Sequence, residues 1–204
     1  FAPEVIAAIK HHMRVEDGRV FKLAANLPYN VATPIISNLL RSEIVPQTMT
    51  VTIQKELADR LVAGPGSKDY GALSIWVQSI CDVEIVRIMS PKVFWPRPKV
   101  DSAIIHIQHF PERREQFEDL DFFYAFVRAM FFHRRKFMRS VAVSAFKDQL
   151  TKSDVDDVLA ELGHGADART EQLNVEQMQL LCHAFRQKLI NVTGEQNPKL
   201  ANQS

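Results

Sequence analysis

The chain has 204 residues, of which 46% are hydrophobic, and its 25 Lys and Arg residues nearly balance 24 Asp and Glu residues to a net charge of +1. This composition excludes intrinsic disorder, which requires low hydrophobicity and high net charge. No apolar run reaches the ~20 residues of a membrane helix, two cysteines make no disulfide framework, and the seven histidines lack metal-ligand spacing. We therefore expect a cytoplasmic protein of one or two domains without a metal.

The first half of the chain alternates helical and strand patterns. Helical patterns, with apolar residues every three or four positions, cover 3–12, 33–41, 54–62 and 72–80. Strand patterns cover 20–25, 49–53, 83–88 and 102–108; the first is expected to be buried and the second is rich in Thr and Val. Thr33 and Pro34 are typical of a helix start. The alternation predicts an α/β sheet.

The second half shows helical patterns only. The predicted helices cover 121–146, which is long or kinked, 153–161 and 174–189. Ser153 is expected to cap the second of these helices and Gly163 to end it. A hinge at 110–118 then separates an α/β domain at 1–112 from a helical domain at 113–204 with a loose polar tail.

Opposite charges are separated along this second half. Residues 125–147 carry six basic and no acidic side chains, whereas residues 148–182 carry eight acidic and two basic ones. A basic block of this kind favours a polyanionic partner, and the alternative is an ordinary solvated helix face.

The segment Asn26-Leu27-Pro28-Tyr29 follows the first predicted strand, and ligands of open α/β sheets bind beyond the carboxyl ends of strands. The Asn26 carboxamide and the Leu27 carbonyl can both accept hydrogen bonds from one exocyclic amine. That arrangement frees the nitrogen lone pair to attack an electrophilic methyl group. Pro28 stiffens the backbone, and the Tyr29 ring can stack on a base. The alternative is an ordinary connection from strand to turn.

A second motif, at 94–102, places Phe94 and Trp95 beside Arg97 and Lys99 in a loop stiffened by prolines. The loop precedes a strand and can overhang the edge of the sheet. Aromatic rings interleaved with cations suit an unstacked base and its phosphates. The alternative is a packed loop whose rings belong to the core.

A third motif lies on the predicted helix 121–146. Arg128, Arg135 and Arg139 fall within about 40° of one another at 100° per residue, which makes a cationic stripe. The opposite face is apolar and comprises Phe123, Phe126, Met130, Phe137 and Val141. We expect Arg134 to pair across the domain junction, and Arg135, Lys136 and Arg139 to face a ligand.

These motifs, in this order, resemble those of the KsgA/Dim family of ribosomal RNA adenine dimethyltransferases, and the resemblance covers nearly the whole chain. Residues 26–30 are similar to its N-L-P-Y motif and residues 54–74 to part of its middle region. The run Phe94-x-Pro96-x-Pro98-Lys99-Val100-Asp101-Ser102-Ala103 is the most specific segment. Phe131-x-x-Arg134-Arg135-Lys136 resembles the start of its C-terminal helical domain.

The resemblance implies a Rossmann-like, S-adenosylmethionine-dependent methyltransferase domain and a small all-α domain. The substrate would be two adjacent adenines in the 3′-terminal hairpin of small-subunit ribosomal RNA, within the immature subunit. Asn26 and the Leu27 carbonyl would bind the adenine N6, with Asn26 also close to the cofactor, while Tyr29 and Phe94 sandwich the flipped base. The expected RNA contacts are Arg97, Lys99, Arg135, Lys136 and Arg139. We expect a monomer that binds no membrane.

The resemblance also implies a Gly-rich cofactor loop and two acidic cofactor ligands that would precede Phe1. The chain has only seven glycines and no Gly-rich turn between a strand and a helix. We therefore expect this chain alone to be a truncated form that binds S-adenosylmethionine poorly and does not methylate. A clear binding isotherm with the 204-residue chain would contradict this expectation.

Two other functions fit the same motifs. One is a non-catalytic RNA-binding or ribosome-assembly module, which would not need the amine acceptor Asn26 beside the ring of Tyr29. The other is the related dimethyltransferase of large-subunit ribosomal RNA, against which Leu27 and the run at 98–102 argue.

Overall fold

The computed structural model describes residues 3–13 and 19–200. Its strands are β1 (Lys22–Asn26), β2 (Thr48–Gln54), β3 (Cys81–Met89) and β4 (Ser102–His109). Its helices are α1 (Pro3–His12), α2 (Ala32–Arg41), α3 (Lys55–Val62), α4 (Ala72–Ile80), α5 (Pro111–Arg114), α6 (Leu120–Phe131), α7 (Met138–Ala145), α8 (Lys152–Glu161) and α9 (Val175–Thr193). The predicted mixture of an α/β region and a helical C-terminal region is confirmed.

The four strands form one mixed sheet in the order β1-β2-β4-β3. β1 and β2 are parallel, with Asn26 opposite Thr52, and β4 is antiparallel to both of its neighbours. Ser102, the first residue of β4, lies opposite Gln54 and Met89. The carboxyl ends of β1, β2 and β3 and the start of β4 therefore share one end of the sheet, which we call the Asn26 end.

The first of two compact units comprises Phe1–Val62 and Ile80–Gln116 and contains the sheet. Alternate residues of the central strands are buried, namely Met49, Val51 and Ile53 in β2 and Ala103, Ile105 and Ile107 in β4. The prediction of a buried first strand was wrong, since no residue of β1 is buried. Within the described residues β1 pairs on one side only, and its residues alternate between exposed and half-buried.

The second unit comprises Ala63–Ser79 and Phe117–Ser204. Phe126, Phe146 and Phe185 form its aromatic core, with ring centroids 4.7–6.2 Å apart. The segment 63–79, which the sequence analysis assigned to the α/β domain, packs here. The hydroxyl of buried Tyr70 donates to the Leu173 carbonyl at 2.7 Å.

Three local predictions for the helices need correction. The helix predicted at 121–146 is two helices, because the chain turns between Phe131 and Met138. The cap of α8 is Thr151 rather than Ser153, since Thr151 and Asp154 form a reciprocal capping box. The cap residue of α2 is Val31, without a side-chain bond, and Thr33 lies inside the first turn.

The other helix ends follow the sequence more closely. Asn174 caps α9 by accepting from the Gln177 backbone at 2.8 Å, as the sequence predicts. Gly163 follows α8 with a φ of 71°, a left-handed conformation that suits glycine. The tail predicted to be loose instead packs as far as it is described, since Leu200 is buried and the Lys199 carbonyl accepts from Gln149 at 2.7 Å.

Candidate functional site

The segment Asn26–Tyr29 leaves the sheet at the Asn26 end. The Leu27 amide donates to the Thr52 carbonyl at 3.1 Å, which extends the parallel pairing one residue beyond β1. The Val31 amide donates to the Pro28 carbonyl at 3.1 Å and closes a turn. The Leu27 side chain is buried, whereas Asn26 is exposed and its carboxamide has no hydrogen-bond partner among the described residues. This fixed backbone presents an available amide group.

Tyr29 is held in place by a residue 73 positions away. Its hydroxyl lies 2.6 Å from the Oγ of Ser102, and either group can be the donor. Ser102 is fully buried at the start of β4, while Tyr29 is only half-buried. The ring is therefore anchored at its hydroxyl and partly open to solvent. Sequence alone assigns Ser102 no role, although it belongs to the motif at 94–102; the signal that marks it is a hydroxyl at the start of an apolar strand.

The second motif lies in the connection between β3 and β4, residues 90–101, which we call the 90–101 loop. Its ends are joined because Met89 pairs with Ser102. Pro91–Val93 forms a short 3-10 turn, and the Lys55 amide donates to the Asp101 carbonyl at 3.0 Å. These contacts place the loop at the Asn26 end of the sheet, as the sequence analysis expected for an overhanging loop.

Within this loop the two aromatic rings differ in exposure. Phe94 is half-buried, whereas Trp95 is 97% exposed, so Trp95 is not a core residue. Arg97 and Lys99 are exposed and have no ion-pair partner in the described part of the chain. The loop therefore presents an aromatic surface and unpaired positive charge to solvent.

The third motif lies in the second unit and does not form the predicted stripe. The turn between α6 and α7 separates Arg128 from Arg135 and Arg139, so no single helix carries all three. Instead, the Arg128 guanidinium lies 5.5 Å from the centroid of the Tyr124 ring. Phe137, predicted to be buried, is 46% exposed with the Arg169 guanidinium over its ring.

The Arg134 side chain forms three hydrogen bonds within the second unit. Its Nε donates to the Glu171 carboxylate at 2.7 Å, and its Nη2 donates to the Ser67 carbonyl at 2.7 Å. Its Nη1 donates to the Lys68 carbonyl. All of these partners lie in the second unit, so Arg134 is engaged as expected but holds two segments of one unit together.

Arg139 also has a carboxylate partner. Its Nε and Nη2 donate to the two oxygens of Asp156 at 2.5 and 2.8 Å, a bidentate pair. This hydrogen bonding raises the pKa of Arg139 and lowers that of Asp156. Arg135 and Lys136, by contrast, are exposed in the turn and have no ion-pair partner within residues 3–13 and 19–200.

Three further features concern metal ligands, thiols and membrane helices. In residues 3–13 and 19–200, no three His, Cys, Asp or Glu side chains are grouped as metal ligands. Cys81 and Cys182 are free and buried, and burial raises the pKa of the Cys81 thiol to about 12. In the same ranges, no helix has the length and apolar character required to cross a membrane.

The mixed sheet with its flanking helices and the separate helical unit define a mixed α/β protein with an all-α C-terminal region. The sequence profile of a family described as "Ribosomal RNA adenine dimethylase" matches residues 2–186. The chain belongs to this family.

Two curated relatives are each named "Ribosomal RNA small subunit methyltransferase A". The protein from Halothermothrix orenii is 41% identical over 177 residues, covering 87% of this chain and 59% of its own length. The protein from Clostridium acetobutylicum is 41% identical over 156 residues, covering 76% of this chain and 55% of its own length. The chain thus spans less than two thirds of these relatives.

Two solved structures are also similar. A dimethyladenosine transferase from Plasmodium falciparum aligns with a TM-score of 0.73 and 25% identity, over 83% of this chain and 68% of the other. The 23S rRNA methyltransferase ErmE aligns with a TM-score of 0.55 and 19% identity, over 89% of this chain and 78% of the other. The second likeness concerns the fold alone.

Proposed function

We propose that the protein containing this chain transfers methyl groups to the N6 atoms of two adjacent adenines in the 3′-terminal hairpin of small-subunit ribosomal RNA. The family and the names of the relatives support this class of reaction and substrate. One observation carries the proposal: the available carboxamide of Asn26 lies in the same segment as the ring of Tyr29, which Ser102 anchors. The partner would be the immature small subunit in the cytoplasm, bound by a monomer.

The proposed role of Asn26 and Leu27 is to bind the exocyclic amine. The carboxamide oxygen of Asn26 and the backbone carbonyl of Leu27 each accept one N6 proton. With both protons directed at acceptors, the nitrogen lone pair leaves conjugation with the ring and points toward the methyl donor. Positioning then supplies most of the catalysis, and the proton left after transfer is released to water, so no strong general base is required.

The target base must leave the RNA stack to reach this site. We propose that Tyr29 stacks on one face of the flipped adenine and Phe94 on the other. The bond to Ser102 supports this role because it fixes the Tyr29 hydroxyl and leaves the ring partly exposed. The space around N6 must also accept one methyl group, since each adenine is methylated twice.

S-adenosylmethionine would supply an electrophilic methyl group on a sulfonium centre. Among the residues of this chain, Asn26 fits a position next to this methyl donor. It is exposed at the carboxyl end of β1, and its carboxamide has no hydrogen-bond partner in the described structure. Asn26 would then orient the amine with respect to the donor, and Pro28 would keep the backbone that carries it rigid.

The proposed RNA contacts are Arg97 and Lys99 in the first unit and Arg135 and Lys136 in the second. All four are exposed and have no ion-pair partner in the described ranges, so their charge is available to phosphates. The guanidinium of Arg139, which the sequence analysis also assigned to RNA, is held by Asp156. We therefore leave Arg139 out of the proposed contacts.

The substitution Asn26→Ala tests the proposal in a methylation-competent protein that includes this chain. We expect methyl transfer to fall at least 100-fold while affinity for the RNA hairpin stays within twofold, because the carboxamide acts on N6 and not on the phosphates. Asn38→Ala is the matched control, since Asn38 is also an exposed asparagine of the first unit but lies outside residues 26–30, and it should change neither quantity.

The same assay separates the other two functions. Collapse of RNA binding in Asn26→Ala would contradict the role given to Asn26. Tight RNA binding by the unsubstituted protein without methyl transfer would indicate a non-catalytic module. Preferential methylation of a large-subunit RNA hairpin over the small-subunit hairpin would indicate the related large-subunit enzyme.

A further inference from the structure

The chain has two tryptophans, and they lie in opposite environments. Trp76 is 1% exposed, whereas Trp95 in the 90–101 loop is 97% exposed. Both faces of the Trp95 ring are therefore open to solvent. A large apolar ring in water forgoes the stabilisation that burial would give, and such exposed surface commonly marks a binding site. The stacking pair proposed above, Tyr29 and Phe94, does not use this ring.

Positive charge surrounds Trp95 along the chain. Lys92, Arg97 and Lys99 lie within four residues of it, all exposed and all without an ion-pair partner in the described ranges. The acidic residue of the loop, Asp101, lies at its base, where its carbonyl accepts from the Lys55 amide. The ring is thus presented among three available cations.

The 90–101 loop, which carries Trp95 and the three cations, lies near the proposed active site at Asn26. The loop joins β3 to β4, and β2 is the one strand between β4 and β1, which ends at Asn26. With strands about 4.8 Å apart, the base of the loop lies roughly 10 Å from the end of β1. This separation is short enough for RNA with one base at Asn26 to contact the loop with a nearby nucleotide.

We propose that Trp95 stacks on an unpaired nucleobase of RNA next to the target adenine, while Lys92, Arg97 and Lys99 contact the flanking phosphates. The inference rests on the proposed function, since it takes its RNA from that site. Aromatic rings interleaved with cations are the usual means of binding single strands. No further wall encloses a ring that is 97% exposed, so the contact gives affinity with little preference for one base.

Tryptophan fluorescence can test this inference, because the two tryptophans differ in exposure. Acrylamide quenches the fluorescence of exposed Trp95 and spares buried Trp76, so quenching reports the accessibility of Trp95. We expect a small-subunit hairpin RNA with an unpaired loop, and a short oligoadenylate, to protect Trp95 from the quencher. In Trp95→Phe the remaining Trp76 signal should not respond to RNA.

Affinity provides the second readout. Trp95→Ala should weaken RNA binding about tenfold, within the range for the loss of one stacked base, while Trp95→Phe should keep most of the affinity. Val93→Ala is the matched control, because Val93 is 63% exposed in the same loop but has no aromatic face, and it should bind RNA as the unsubstituted chain does.

Three results would overturn the inference. They are RNA binding that leaves Trp95 open to acrylamide, unchanged affinity in Trp95→Ala, and protection by anionic lipid vesicles but not by RNA. The last result would assign the loop to a membrane surface. None of these assays measures methyl transfer, so a failure of the role proposed for Asn26 would leave the fluorescence result standing, and a failure here would leave the Asn26 test intact.

Discussion

The 90–101 loop and the basic segment from Arg128 to Arg139 resemble each other in sequence, since both mix aromatic rings with Arg and Lys, but they differ in structure. The loop presents exposed cations without partners in the described residues. In the basic segment, Arg134 binds Glu171 and two backbone carbonyls, and Arg139 binds Asp156. The difference teaches that the partner of a cation, rather than its presence in a basic run, decides whether its charge is available to RNA.

The largest expected effect comes from breaking the paired cation Arg134. Arg134→Ala removes an ion pair and two bonds to carbonyls, so we expect the free energy of unfolding to fall by about 1–3 kcal/mol, allowing for its partial exposure. Chemical denaturation measures this change. Arg135→Ala, at the next residue, should stay within about 0.5 kcal/mol of the unsubstituted chain. Equal losses in the two variants would mean that Arg134 is not a structural residue.

The unpaired cations should instead change RNA binding. Arg97→Ala with Lys99→Ala is expected to weaken binding about tenfold and to lower the slope of log affinity against log salt by about 1.4, at ~0.7 for each lost contact with a single strand. Arg135→Ala with Lys136→Ala should lower the slope by roughly one for each lost contact. Titrations at several salt concentrations give both quantities.

Arg139→Ala is the control for these titrations, because its guanidinium is paired with Asp156, and its salt slope should not change. A smaller slope of log affinity against log salt in Arg139→Ala, or an unchanged slope in the two double variants, would contradict the claim that only unpaired cations bind RNA phosphates.

The smallest expected effect concerns the acidic helix α8. Hydrogen bonds from Thr151, with Lys188 contributing, lower the pKa of Asp154 to about 2 from its ordinary value of 3.8. A carboxylate with a lowered pKa stabilises the folded state above pH ~4, and this contribution is lost as the pH falls toward about 2. The melting temperature should therefore decline with acid less steeply in Asp154→Asn than in the unsubstituted chain. Glu161→Gln, at the other end of α8, should keep the original slope, and identical slopes in all three would contradict the role of Asp154.

Much of the fold could be predicted because local patterns set it. Apolar residues at helical spacing gave α1 and α4 with the observed ends, and the strand patterns at 49–53 and 102–108 gave β2 and β4 to within a residue or two. The capping side chain of Asn174 marked the start of α9. Each of these signals acts within a few residues, so a single sequence is enough to show it.

What could not be predicted depends on contacts distant in sequence. The break between α6 and α7 has no proline or glycine to mark it; there the Met138 amide donates to the Ala168 carbonyl, 30 residues away. Likewise, the motif gave Tyr29 a stacking role, but its anchor Ser102 emerges only when β4 joins the sheet. The roles of Asn26, Leu27, Pro28, Tyr29 and Phe94 remain proposals, since their chemistry requires ligands.

The second unit is discontinuous, because the chain enters it at Ala63, returns to the first unit at Ile80 and enters it again at Phe117. During synthesis, residues 63–79 therefore emerge well before the helices that complete their core. The hydrogen bond of Tyr70 to Leu173 and the ring contact of Trp76 with Tyr124 can form only after residues 117–173 have been synthesised. The two units are thus not modules to be exchanged at one junction, and a chimaera that replaces the helical unit has to replace residues 63–79 with it.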